Sequence, residues 1–247
     1  MSDLGKQERA AIEAVARRTS ATWAQGRGPT DAYLTVAGKR VAVDARRLER
    51  RRSGVGQLAR PGLRFDKVAT RVLDRLRATI GQFGPDSAIV LLSLTAPIRL
   101  ASKTTVALQA RIRALLVRNA PGRDMKDTIH GNRVRIRLVK NEAVGAPGMI
   151  GFVHNPDTDQ RLLMDMAREW LELVSSEARR RAPRPAGDRW LVALSARGPS
   201  CLDAYRAIHS QLHAARHFKK VFVVFDDGRA ELLDESTAPA RRPRSSR

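Results

Sequence analysis

One segment, Ala88–Leu94, constrains the fold of this chain more than any other. Its residues AIVLLSL form a near-continuous apolar run that turn-forming residues bound on both sides. Such runs are typical of strands that other elements cover on both faces of a sheet. The uninterrupted part, Ala88–Leu92, is far shorter than the roughly 20 residues that a membrane helix needs. We therefore expect a buried strand inside a layered, soluble protein.

Helical and strand patterns alternate along the rest of the chain. Apolar residues recur at helical spacing in several segments, and short apolar or alternating runs predict strands between them. The predicted helices cover residues 6–18, 65–80, 104–118, 158–181 and 201–216, and the predicted strands cover residues 20–25, 32–36, 40–44, 88–94, 133–140, 190–196, 220–225 and 230–233. This order fits the α/β or α+β class, and we predict an α/β fold with a mixed central sheet flanked by helices.

Two of these patterns are specific enough to predict which way side chains point. Ala32–Val36 and Arg40–Asp44 flank turn residues around Gly38, which predicts a β-hairpin. In the predicted strand Arg133–Lys140, basic and apolar residues alternate from Arg133 to Leu138. The alternation predicts a half-buried strand whose apolar residues face inward and whose arginines face outward as a basic row.

The charge balance indicates a polyanionic partner. The chain has 46 Lys and Arg against 25 Asp and Glu, a net charge of +21, and 38 of the basic residues are arginines. Arginine presents a planar fork that matches phosphate oxygens. A hydrophobic fraction of 43% excludes a disordered polycation. We expect nucleic acid as the partner, DNA rather than RNA, although an arginine-rich codon usage would produce the same excess.

Other features exclude two environments. No helix pattern pairs a basic face with Trp, Phe and Leu opposite, so binding to a membrane surface is not expected. The single cysteine, Cys201, cannot form a disulfide within the chain, which fits a reducing compartment. The first residues lack the apolar stretch of a signal peptide. These features predict a cytoplasmic protein.

Three acidic residues of the first 50 positions could carry chemistry. Glu8 falls on the inward side of the first predicted helix, Asp31 precedes the first hairpin strand, and Asp44 ends the second. Because the start of one hairpin strand lies beside the end of the next, we expect Asp31 and Asp44 to be neighbours. Two adjacent carboxylates repel each other unless a proton or a cation lies between them. Such a pair suits Mg²⁺ or Mn²⁺ bound together with a substrate phosphate.

This arrangement resembles the PD-(D/E)xK nuclease superfamily, the restriction-endonuclease-like fold. The resemblance rests on a helix with Glu8, then Pro29-Thr30-Asp31, then the strand ending Asp44-Ala45-Arg46. It extends over about the first 95 residues and implies a core of helix, three strands, helix and strand. The segments 65–80 and 88–94 would supply the last helix and strand.

The resemblance also implies roles for these residues. Asp31 and Asp44 would bind the metal together with the Ala45 carbonyl, and Glu8 would bind a second metal or orient a metal-bound water. Arg46 stands where the family has lysine, and one residue is inserted between Pro29 and Asp31. Arginine can stabilise a charged phosphate but cannot act as a base, because it does not release its proton.

The arginines that follow would hold the nucleic-acid backbone. The residues expected to contact phosphate are Arg47, Arg50, Arg51, Arg52 and Arg60. We expect a DNA-binding protein with Mg²⁺-dependent phosphodiester cleavage; a non-catalytic nucleic-acid-binding protein and an interaction scaffold are the alternatives. We divide the chain into a nuclease-like α/β core at residues 1–125, a second α/β unit at 126–234 that could be continuous with it, and a disordered basic tail at 235–247.

Overall fold

The structure is a computed structural model that describes residues 4–26, 30–48, 61–80, 88–118, 124–140, 148–179, 188–212 and 218–235. Its helices are α1 (Lys6–Arg18), α2 (Lys67–Ile80), α3 (Ala101–Val117), α4 (Gln160–Arg179) and α5 (Leu202–His209). Its strands are β1 (Thr22–Gln25), β2 (Ala32–Val36), β3 (Lys39–Arg47), β4 (Ala88–Thr95), β5 (Asp124–Ile129), β6 (Asn132–Lys140), β7 (Met149–His154), β8 (Arg189–Ser195), β9 (Lys220–Phe225) and β10 (Ala230–Glu235).

The first of two sheets, sheet A, has the strand order β1-β2-β3-β8-β9-β10. β1, β2 and β3 form an antiparallel meander, and β3, β8 and β9 run parallel to one another. A tight turn sets the β2–β3 register: Ala37 and Gly38 both have positive φ, 47° and 77°, as in a type I′ turn. The register pairs Ala32 with Val43, so the start of β2 lies beside the end of β3.

The second sheet, sheet B, has the order β5-β6-β4-β7. β4 is its centre, antiparallel to β6 and parallel to β7. All eight residues of β4 are buried, because α2 and α3 cover one face of the sheet and α4 covers the other. The prediction of a strand covered on both faces is therefore confirmed.

The elements stack in five layers. α1 packs on one face of sheet A through Ile12 and Val15. α4 and α5 fill the space between the two sheets, where Trp170 and Tyr205 are fully buried. α2 and α3 form the outer layer beyond sheet B. Among the described residues, no helix is both long enough and apolar enough to cross a membrane.

The predicted α/β class, with mixed β-structure flanked by helices, is confirmed. The strands are divided between two sheets, which the sequence did not predict. The expectation that residues 65–80 and 88–94 complete the N-terminal core is wrong, because β3 pairs with β8 and β4 belongs to sheet B. The division predicted between residues 125 and 126 falls inside β5, and sheet A combines strands from both sides of it. The predicted tail begins at residue 235, which the structure places at the end of β10, and residues 236–247 lie outside the described residues.

The arginines of β6 do not form the outward basic row that the alternation predicted. Arg135 and Arg137 are buried on the face of sheet B that α4 covers. Arg135 donates to Asp124 of β5, and Arg137 donates to Asp165 of α4 at 2.8 Å. Alternation identifies two faces of a strand, but it does not say which face meets solvent. Here the acidic partners are carried by two other elements.

Candidate functional site

The start of β2 and the end of β3 bring Asp31 and Asp44 to the same end of the hairpin, as the sequence predicted. Asp31 precedes the Ala32–Val43 pair and Asp44 follows it. The Asp31 carboxylate accepts a hydrogen bond from the Ala45 backbone N–H at 2.9 Å. The negative charge of Asp31 is one of the causes that raise the pKa of Asp44. Asp31 therefore also anchors the hairpin, and its carboxylate is engaged by the backbone.

Arg46 connects this pair to a third carboxylate. Its guanidinium donates to Asp31, to the Ala45 carbonyl at 2.8 Å and, through Nε, to Glu177 of α4 at 2.8 Å. Glu177 is carried near the end of α4, on the side that faces sheet A. One arginine thus joins the start of β2, the end of β3 and a helix from the layer between the sheets.

Arg189, the first residue of β8, completes the group. Its Nε donates to Asp44, and its NH1 donates to the Glu177 carbonyl at 3.3 Å. A second nitrogen lies 3.8 Å from the Glu177 carboxylate. The Arg189 guanidinium also lies 5.0 Å from the centre of the Phe218 ring. We call Asp31, Asp44, Glu177, Arg46 and Arg189 the carboxylate–arginine cluster.

The cluster lies mostly out of solvent and carries one more carboxylate than guanidinium. The side chains of Asp44 and Glu177 are each 4% exposed, whereas those of Arg46 and Arg189 are about one-fifth exposed. Burial raises the pKa of Asp44, and the charge and hydrogen bond of Arg189 oppose it. Burial also raises the pKa of Glu177 against the effect of Arg46. These two carboxylates are therefore easier to protonate than exposed ones.

Arg46 responds in the opposite way to its neighbours. Burial acts to lower its pKa, but the charges of Asp31 and Glu177 outweigh burial and raise it. The guanidinium therefore stays protonated. It can hold an anionic group in place, but it cannot take a proton from a water molecule.

Glu8, the third predicted acid, is not part of the cluster. Its carboxylate accepts a hydrogen bond from the Gly5 backbone N–H at 3.0 Å and so caps the start of α1. α1 packs on the face of sheet A to which Val43 and Ala45 point. Side chains alternate between the faces of a strand, so Asp44 and Arg46 point to the opposite face. The prediction that Glu8 joins Asp31 and Asp44 is corrected: sheet A lies between them.

The four predicted metal ligands do not fit a divalent cation as they are arranged. Arg46 and Ala45 N–H occupy one Asp31 oxygen, Arg189 occupies Asp44, and Arg46 occupies the Ala45 carbonyl. Glu8 is on the other face. Within the described ranges, no group of three His, Cys, Asp or Glu residues is arranged to hold a metal ion. In place of a cation, the guanidiniums of Arg46 and Arg189 supply the positive charge.

The predicted phosphate-binding arginines can be placed only in part. Arg47 is exposed at the end of β3, and no ion pair within the described part of the chain involves it. Arg50, Arg51, Arg52 and Arg60 lie outside the described residues.

Sequence reasoning missed Glu177 and Arg189. A signal for Glu177 was present: Leu163, Met166, Trp170 and Val174 form the buried row of α4, and Glu177 occupies the next position of that row. An acid at the end of an apolar row indicates a buried partner. For Arg189 there was no local signal, because it reaches Asp44 only through the parallel pairing of β8 with β3, nearly 150 residues away in the chain.

Comparisons with family models, with curated proteins and with solved structures gave no significant match to this chain.

Proposed function

We propose that this protein binds nucleic acid, DNA rather than RNA, and that it does not cleave the nucleic acid. The observation that carries this proposal is the carboxylate–arginine cluster, in which Arg46 and Arg189 hold the acids that would otherwise bind a metal. Arg46 is protonated and engaged with Asp31 and Glu177, so it cannot act as a base, and arginine hydrogen bonds already take up one oxygen each of Asp31 and Asp44.

The surplus positive charge supports the nucleic-acid part of the proposal. Ion pairs inside the fold contain arginines and acids in equal or nearly equal numbers, as in the buried pair of Arg197 with Glu169, so they contribute little to the net charge. They leave the net charge of +21 to the remaining residues. A protein of this charge attracts phosphate backbones over distances set by the salt concentration.

The order of elements in sheet A supports a relationship to the nuclease superfamily. α1, the meander β1–β3, α4 and β8 follow the order helix, three strands, helix, strand that the resemblance implies. The whole of sheet B is then an insertion between β3 and β8. On this proposal the chain has a nuclease-like framework in which arginines bind the carboxylates of the acidic site. The proposed location is the cytoplasm, where the single buried cysteine stays reduced.

The proposal is tested by measuring binding and cleavage on the same DNA. Gel shifts of a duplex in EDTA should show binding that weakens as salt rises, and adding Mg²⁺ or Mn²⁺ should leave supercoiled plasmid intact. Absence of binding at low salt would contradict the first part. Metal-dependent nicking by purified protein would contradict the second.

Mg²⁺-dependent cleavage remains the second candidate, because three carboxylates converge and outnumber the two guanidiniums. Cleavage would require Arg46 and Arg189 to release Asp31 and Asp44. If nicking is seen, Asp44→Asn should abolish it while DNA binding persists, with circular dichroism as the check that the variant folds. Nicking that survives Asp44→Asn would come from a contaminant or from another site.

A further inference from the structure

The outward side of α2 carries three basic residues in an unbroken row. Lys67, Arg71 and Arg75 are four residues apart, so they stand on one side of the helix at intervals of about 6 Å along its axis. All three are exposed. Within the residues that the structure describes, no ion pair or hydrogen bond engages the side chain of any of them. The only acid within α2, Asp74, is paired with Arg77 instead.

Among the described residues, the exposed basic residues of α1 and α4 do not form such a row. In α1, Glu13 stands between Arg9 and Arg17 at the same spacing. In α4, Arg168 is paired with Glu172 at 2.7 Å. A row of basic residues without acids is what distinguishes α2 among these helices.

The neighbour of α2 in the outer layer reinforces its charge. α3 lies beside α2, and the Gln109 amide of α3 donates to Thr79 of α2 at 2.7 Å. The sequence of α3 contains no acidic residue and adds the exposed Lys103. The outer layer therefore presents positive charge on a surface formed by two adjacent helices.

The row is also close in the chain to the predicted phosphate-binding arginines. Four of these arginines lie in the segment 49–60, between β3 and α2 in the sequence. Shortly after this segment, Leu63 forms a β-bridge with His154 at the end of β7. α2 begins four residues later. After this segment, the described residues 61–66 precede α2.

We infer that α2 is a docking surface for a nucleic-acid phosphate backbone, with Lys67, Arg71 and Arg75 as its phosphate contacts; this inference rests on the proposed function. Charge complementarity selects the occupant: three adjacent cations whose side chains have no ion pair among the described residues gain most from a polymer with regularly spaced anions. Contacts of this kind position the protein on the nucleic acid and carry no sequence information.

A matched pair of triple variants tests the inference. Lys67→Ala, Arg71→Ala and Arg75→Ala remove three charges from α2, whereas Lys6→Ala, Arg9→Ala and Arg17→Ala remove three exposed charges from α1, in the opposite outer layer. Alanine preserves the helices, and both variants have the same net charge. Affinity for a mixed-sequence DNA duplex is measured as a function of salt in EDTA.

The α2 variant should bind on the order of 100-fold more weakly at 0.15 M salt, and its slope of log K against log salt should shrink by about 2.7, roughly 0.9 for each lost phosphate contact. The α1 variant should keep the slope of the unaltered protein and lose no more than a few-fold in affinity. Equal losses in both variants, or an α2 variant that binds like the unaltered protein, would overturn the inference. Failure of the unaltered protein to bind DNA would overturn the proposed function instead.

Discussion

At the scale of the residue, Arg46 performs a task that lysine cannot. Its guanidinium donates in three directions at once, to Asp31, to Glu177 and to the Ala45 carbonyl. A lysine ammonium is a single point on a flexible stem and lacks the planar fork that spans two carboxylates. The residue that ties the cluster together is therefore the one that stands where the nuclease resemblance led us to expect lysine.

Arg46→Lys should lower the free energy of unfolding by about 1–3 kcal/mol, since buried carboxylates lose charged hydrogen bonds that one ammonium cannot replace. Urea unfolding monitored by circular dichroism measures the change. Arg47→Lys is the control: Arg47 is the next residue and is exposed, so this substitution should change the free energy of unfolding by no more than about 0.5 kcal/mol. Equal unfolding midpoints for the two variants would contradict the bridging role of Arg46.

A buried histidine should make stability depend on pH. His209 is 2% exposed, and the Trp170 indole N–H lies 3.3 Å from its Nδ1. Burial lowers the pKa of His209 to about 4, although Asp234 opposes the shift. The unfolded chain therefore binds the proton first, and stability should fall by about 3 kcal/mol as pH drops from about 6.5 to about 4.

His209→Gln should reduce this loss, because glutamine can still accept from Trp170 but does not titrate. Urea midpoints at pH 7 and pH 4.5 compare the two proteins. His130→Asn, in the exposed β5–β6 turn where φ is positive, should retain the pH dependence of the unaltered protein. A His209→Gln variant with the full loss would show that another group is responsible.

At the level of the secondary-structure elements, a glutamine side chain forms hydrogen bonds with the backbone of the edge strand β7 in sheet B. Gln211 follows α5, and its amide accepts from Gly151 N–H at 2.9 Å while donating to the Gly151 carbonyl at 3.3 Å. The same oxygen accepts from Arg77 of α2 at 2.6 Å. One glutamine thus satisfies the backbone of β7 and links it to two helices.

Gln211→Ala should cost about 1–3 kcal/mol of unfolding free energy, because the backbone groups of buried Gly151 lose their partner. Ser210→Ala, at the exposed neighbouring position, should change stability by less than about 0.5 kcal/mol. Chemical denaturation measures both. A Gln211→Ala variant as stable as Ser210→Ala would mean that water replaces the amide at this edge.

Most of the elements and the β2–β3 hairpin could be predicted from the sequence, but the pairing of strands distant in the chain could not. The apolar run of β4 and the turn at Gly38 are local, so the buried strand and the hairpin were predicted with the neighbouring Asp31 and Asp44. The pairing of β3 with β8 leaves no local trace, because sheet B and α4 lie between them in the chain. The six-stranded sheet A and the contact of Arg189 with Asp44 depend on that pairing and were missed. The placement of Glu8 was missed because it depends on which face of sheet A α1 covers.

At the scale of the whole molecule, the five layers separate two kinds of arginine. Those between the sheets, such as Arg137 and Arg197, are paired with acids and hold layers together. Those on the outer surfaces, such as Arg71 and Arg75 on α2, are exposed and add to the external field. Net charge alone did not predict this division, because it depends on which strand faces and helix faces become buried.

The most direct test of the central claim, binding to nucleic acid without a metal, is the equilibrium affinity for duplex DNA in EDTA across a range of salt concentrations. We expect measurable binding at low salt, a linear fall of log K with log salt whose slope corresponds to several phosphate contacts, and full recovery of uncut DNA. No binding at 50 mM salt, or binding that appears only when Mg²⁺ is added, would contradict it.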